Sequence, residues 1–155
     1  NKKVILPING FSSYSYGKDA LDNYYLTEKL EDMIKVFNYM SGEIAEDRAL
    51  IQGKIKEANE TSSFRDIGFH YFETTFFKKG TCHIKFKDEK LLDKFNIFGS
   101  QRRGWLPPSY GKKAYRDMSD EEKQVVNEFQ GQEKYDEVVN QKDYYLVETN
   151  KLLLN

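Results

Sequence analysis

The chain has 155 residues, 39% of them hydrophobic, with 11 Phe, 11 Tyr and one Trp; its 24 basic and 25 acidic residues leave a net charge of −1. A chain of this length fits one compact domain that buries roughly 70% of the surface its unfolded form exposes, so no metal or disulfide staple is required. The single cysteine, Cys82, excludes an internal disulfide, no apolar run reaches the roughly 18–20 residues of a membrane-spanning helix, and near-neutrality excludes an argument for nucleic acid from global charge.

Taken in chain order, residues 1–17 read as an extended lead-in rich in Asn, Ser, Tyr, Pro and Gly, with Val4, Ile5 and Ile8 able to pair or pack. From Lys18 to Met40 the apolar residues Leu21, Tyr25, Leu30, Ile34 and Phe37 recur at helical spacing with charges between them, which predicts an amphipathic helix. Ser41-Gly42 interrupts it, and Glu43–Asn59 repeats the pattern. Residues 18–60 are therefore a helical pair, either an αα-hairpin or one kinked rod.

Residues 69–77 are aromatic and β-branched and predict a strand. Lys78-Lys79-Gly80-Thr81 supplies a turn, and in residues 82–87 Cys82, Ile84 and Phe86 alternate with His83, Lys85 and Lys87. The pair is a β-hairpin with one basic face. Asp88 is placed to cap a helix running to Phe98, which Gly99 ends. Ser119-Asp120-Glu121-Glu122 matches a capping box in front of Val125, Val126 and Phe129. Gly131 separates that helix from another carrying Tyr135 and Val138, and Tyr144–Leu154 forms a strand or a docked terminal segment.

The charge is unevenly spread. Residues 1–60 hold 8 bases and 10 acids, 61–100 hold 7 and 5, 101–116 hold 5 and none, and 117–155 hold 4 and 10. The basic stretch interleaves Arg102, Arg103, Lys112, Lys113 and Arg116 with Trp105, Tyr110 and Tyr115. Such cations neutralise phosphates, such rings stack on bases, and Pro107-Pro108 stiffens the loop. Lys78, Lys79, Lys85 and Lys87 extend the patch if hairpin and loop lie side by side. The competing reading is a solvated loop ion-paired to the acidic helix from Asp117 to Glu137, with Trp105 and Tyr115 as buried anchors.

Other chemistries lack parts. A zinc site takes about four N or S ligands, whereas His70, Cys82 and His83 are the only imidazoles and thiol, and strand neighbours 82 and 83 point to opposite faces. Cys82 on the inward face is an inert thiol, and His70 and Glu73 fall on opposite sides of a strand. Leu106-Pro107-Pro108-Ser109-Tyr110 has Leu and Ser where an amino-methyltransferase motif needs a polar acceptor and a stacking ring. No glycine-rich phosphate loop appears. Neither catalytic residues nor a cofactor or metal is expected.

The run from Phe76 to Phe86, followed by Leu91-Leu92-Asp93-Lys94-Phe95-Asn96 and Gly104-Trp105-Leu106-Pro107-Pro108-Ser109-Tyr110-Gly111, resembles a bacterial family of unknown function. That family is found on phages, plasmids and integrative elements, often fused to a class I adenine-type DNA methyltransferase. The resemblance covers residues 64–140, with little added by the first 60. It implies an accessory of a DNA-modifying polypeptide, in keeping with a chain that opens on Asn1 without an initiator Met. The expected protein is one cytoplasmic α+β domain spanning 1–155, mainly helical with a small antiparallel hairpin and a tail at 141–155. Its expected role is non-catalytic binding of DNA, or else protein–protein docking on a larger DNA-modifying polypeptide, in which Asp120, Glu121, Glu122, Glu133 and Glu137 face a basic partner or the aromatic surface docks on the methyltransferase.

Overall fold

A computed structural model describes residues 2–13 and 18–141. The class is α+β, and the chain divides into two compact units, residues 1–92 and 93–155. The tail from Tyr144 to Leu154 lies outside the described residues. Among those described, no helix is long and apolar enough to cross a membrane.

The first unit opens with strand β1 (Lys3–Leu6), followed by helices α1 (Asn23–Ser41) and α2 (Arg48–Glu60). Both helices begin later than their apolar periodicity suggests, because an aspartate ends each lead-in. Asp22 accepts from the Tyr25 amide at 3.0 Å and Asp47 from the Leu50 amide at 2.9 Å, satisfying orphan donors of the first turn. The pair is thus a hairpin of two helices joined by residues 42–47, not a rod. Residues 18–21 are not helical, and Phe11 bridges to Leu21.

Strands β2 (Ile67–Gly68), β3 (Phe72–Phe77) and β4 (Thr81–Phe86) complete an antiparallel sheet of order β1-β4-β3-β2. The expected hairpin is its centre, with Gly80 at φ +86° in the turn, a conformation that costs glycine little. Two flanking strands enlarge it: β1 pairs Leu6 with Cys82, and β2 pairs Ile67 with Thr74. The predicted strand start at 69 is corrected to 72, since the Phe69 amide turns back to the Phe72 carbonyl at 2.8 Å. Phe72, Thr74, Phe76, Cys82, Ile84 and Phe86 form the buried face, where Phe37 of α1 meets Phe86 at 5.4 Å. Burial pushes the Cys82 thiol up to about 12.

Helix α3 (Glu89–Arg102) crosses the boundary between the units and runs through Gly99, where the sequence suggested a stop. In the second unit a 3₁₀ turn (Tyr115–Asp117) precedes α4 (Asp120–Phe129) and α5 (Gln132–Asn140). The capping box is formed as predicted, with Glu122 N donating to Ser119 Oγ at 3.2 Å and Ser119 N to Glu122 Oε2 at 2.9 Å. Ile97, Leu106, Tyr110, Met118, Val126, Tyr135 and Val138 make this unit's core.

Candidate nucleic-acid interface

The basic segment is built as a helix end and a sequence of turns. Arg102 closes α3, with its guanidinium 5.1 Å from the Phe98 ring centroid, one helical turn back. The amides of Trp105 and Leu106 both donate to the Ser100 carbonyl, at 2.8 and 3.2 Å. This folds the chain over so that Leu106 is buried while Trp105 stands 72% exposed. The Trp105 ring is therefore presented to solvent and not to this unit's core. The reading of Trp105 as a buried anchor is corrected accordingly, whereas Tyr115 is half-buried and packs on the core.

Tyr110 also departs from expectation. Its ring is fully buried, edge-on to Tyr135 at 4.9 Å and to Phe129 at 5.8 Å. It cannot stack on a base; its role is to anchor the loop. The next residues hang on Tyr135, whose hydroxyl accepts the Gly111 amide at 3.0 Å and donates to the Lys113 carbonyl at 2.6 Å. Lys112, between these two anchors, is exposed. Sequence reasoning placed Tyr135 on a helix without this function, because nothing local links it to residues 111–113.

Of the five cations, Lys113 is engaged: its ammonium lies 3.0 Å from Glu122 Oε2. That carboxylate also accepts from the Ser119 backbone and, through its other oxygen, from Ser109 Oγ at 3.4 Å. The Ser119 amide first, and then Lys113, hold its pKa below the ordinary carboxylate value. Glu122 thus caps a helix and consumes one cation, whereas the solvated-loop reading has the whole basic loop ion-paired to this helix. Arg116 is 88% exposed, with Nε 3.7 Å from Asp117, a pair of little energetic weight. Among the described residues, no carboxylate comes within 4.0 Å of Arg102, Arg103 or Lys112, and all three are exposed.

The hairpin lysines lie in the first unit and the loop cations in the second. Lys78 is 2.5 Å from Asp19, Lys85 is 3.6 Å from Glu73, and Lys79 sits 5.8 Å over the Phe77 ring. His70, which the sequence sets on the opposite side of a strand from Glu73, places Nε2 2.9 Å from Glu43 Oε2.

A family model described as a domain of unknown function (DUF4942) matches residues 1–105. The matched stretch includes the first 60 residues, to which the sequence resemblance gave little weight, and it ends at Trp105. No curated protein and no solved structure matches the chain.

Proposed function

We propose that this chain, which belongs to the family of the domain of unknown function DUF4942, binds DNA non-catalytically through residues 102–116, as an accessory of a mobile-element DNA methyltransferase. The observation that carries the reading is the exposure of Arg102, Arg103 and Lys112, clear of described carboxylates, in a segment that also holds out Trp105. Cations with no carboxylate beside them among the described residues are available to phosphates, and their binding releases counterions. The methyltransferase context rests on the sequence resemblance alone.

Arg102, Arg103, Lys112 and Arg116 make up to four phosphate contacts, so duplex affinity falls with salt at a log–log slope near −3.6. Titration of the full chain against labelled duplex DNA tests this. Arg102→Ala with Lys112→Ala flattens the slope by about 2, and absence of duplex binding at low salt overturns the reading. A second reading, docking on a larger DNA-modifying polypeptide, draws on the exposure of Asp120, Glu121, Glu133 and Glu137. Its signature is association with that polypeptide that does not weaken when Arg102 and Lys112 are removed.

A further inference from the structure

The first unit carries rings and cations of its own. Opposite the buried face of the sheet, the antiparallel register sets Lys3 beside Lys85 and Glu73, and Ile5 beside His83 and Thr75. Ile5 is 59% exposed. On the same face the rings of Phe77 and His83 lie 4.4 Å apart, with the Arg65 guanidinium 5.9 Å and the Lys79 ammonium 5.8 Å from the Phe77 centroid. Two lysines directly opposite each other across a strand pair are destabilising, and Lys3 with Lys85 is such a pair. Burial, then Lys3 and Lys79, hold the His83 pKa below its usual value, so the imidazole beside Phe77 is neutral at physiological pH.

Next to Phe77 opens a cleft of about 350 Å³ lined by Phe11, Phe64, Ser63, Arg65, Phe77 and Lys78, among others. Phe11 and Phe64 meet edge to face at 5.1 Å. Ser62, on the wall of this cleft, lies in the left-handed region at φ +51°. Non-glycine residues held there are uncommon and gather at functional sites. Around cleft and sheet, Lys3, Arg65, Lys78, Lys79 and Lys85 outnumber Asp19, Asp66 and Glu73.

We infer that this cleft and the adjoining sheet face bind single-stranded nucleic acid, an unpaired base lying against Phe77 and its phosphates on Arg65 and Lys79. Rings give up stacking energy only to bases whose faces are free, which a duplex does not offer, and a cleft of this size sits at the lower end of small-ligand pockets. Arg65 and Lys79 cover the Phe77 ring in the unbound protein; phosphates draw them outward and leave the ring to the base. Stacking is indifferent to sequence, so recognition of a flexible strand is the expected mode. Every residue involved lies within 1–92, so the inference stands independently of the 102–116 loop.

The test is fluorescence anisotropy of an end-labelled dT12 strand with the full chain, titrated with salt. Phe77→Leu keeps apolar bulk but removes the π face, and weakens binding by on the order of tenfold with an unchanged salt slope, while Phe77→Tyr retains binding. Arg65→Ala with Lys79→Ala, both at exposed positions, flattens the slope by about 1.4, at roughly 0.7 per phosphate on a single strand. The inference is overturned if dT12 does not bind at low salt. It is equally overturned if Phe77→Leu and Phe77→Tyr bind alike, or if only Arg102→Ala with Lys112→Ala reduces single-strand binding.

Discussion

The phenol of Tyr135 donates to the Lys113 carbonyl at 2.6 Å while accepting the Gly111 amide, and so one buried hydroxyl sets the course of the chain on both sides of Lys112. Tyr135→Phe leaves an amide and a carbonyl unpaired at little change of volume. The expected cost is about 1–3 kcal/mol, read as a fall in Tm of roughly 2–4 °C per kcal/mol. Duplex affinity falls with it, because Lys112 loses its fixed position. A variant that melts like the parent would show that solvent replaces both bonds without loss.

Glu46 makes a comparable tie in the first unit, and its consequence is a dependence on pH. Its side chain is 9% exposed, and Oε1 accepts from Lys54 Nζ at 2.8 Å and the His70 amide at 2.7 Å. Burial alone would raise the carboxyl pKa; the Lys54 ammonium and backbone amides more than offset it, and the pKa is lowered. A carboxyl titrating lower in the folded than in the unfolded chain contributes stability that is present above its unfolded pKa and is lost as pH falls through the folded one. Tm is therefore expected to decline on acidification below the ordinary carboxylate range. In Glu46→Gln the decline is shallower and Tm at pH 7 is lower, and an unaltered acid limb would show that other carboxyls govern it.

What was legible in the sequence was local. The capping box at Ser119 and Glu122 lies within four residues, and the alternation of residues 82–86 fixes which side of β4 is buried, so both appear as read. The pairing of Lys3 with Lys85 spans most of the first unit, and an edge strand of four residues has too little periodicity to announce it. The late starts of α1 and α2 were in principle visible, because Asp22 and Asp47 are good caps; the apolar pattern running through them outweighed that signal. Within the basic segment, composition identifies the cations but not which ring the core will take. Tyr110 finds Tyr135 and Phe129 across the fold, and Trp105 does not.

The thiol of Cys82 offers a check on the buried sheet face. It is wholly buried in β4, with a pKa of about 12, and since the thiolate is the reactive form, the native protein at pH 8 should resist an aromatic disulfide reagent. One equivalent reacts at once in denaturant. Rapid labelling of the native chain would mean that β4 opens locally or that its register differs.

Ser62 occupies the position after α2 where helices commonly end on glycine. The Ser63 amide reaches the Ala58 carbonyl at 3.0 Å and the Ser62 amide the Asn59 carbonyl at 3.3 Å, the paired closure of a Schellman motif, with Ser62 at φ +51°. A side chain in the left-handed region costs roughly 1 kcal/mol that glycine does not incur, while glycine's extra freedom in the unfolded chain returns part of it. Ser62→Gly is therefore expected to stabilise the protein by about 0.5 kcal/mol, and Ser62→Val to destabilise it by more than 1 kcal/mol, both measured by urea denaturation. If the positive φ is instead maintained for the cleft beside Phe77, the glycine variant gains stability and loses affinity for dT12, because a wall that no longer prefers one conformation must be ordered when the strand binds.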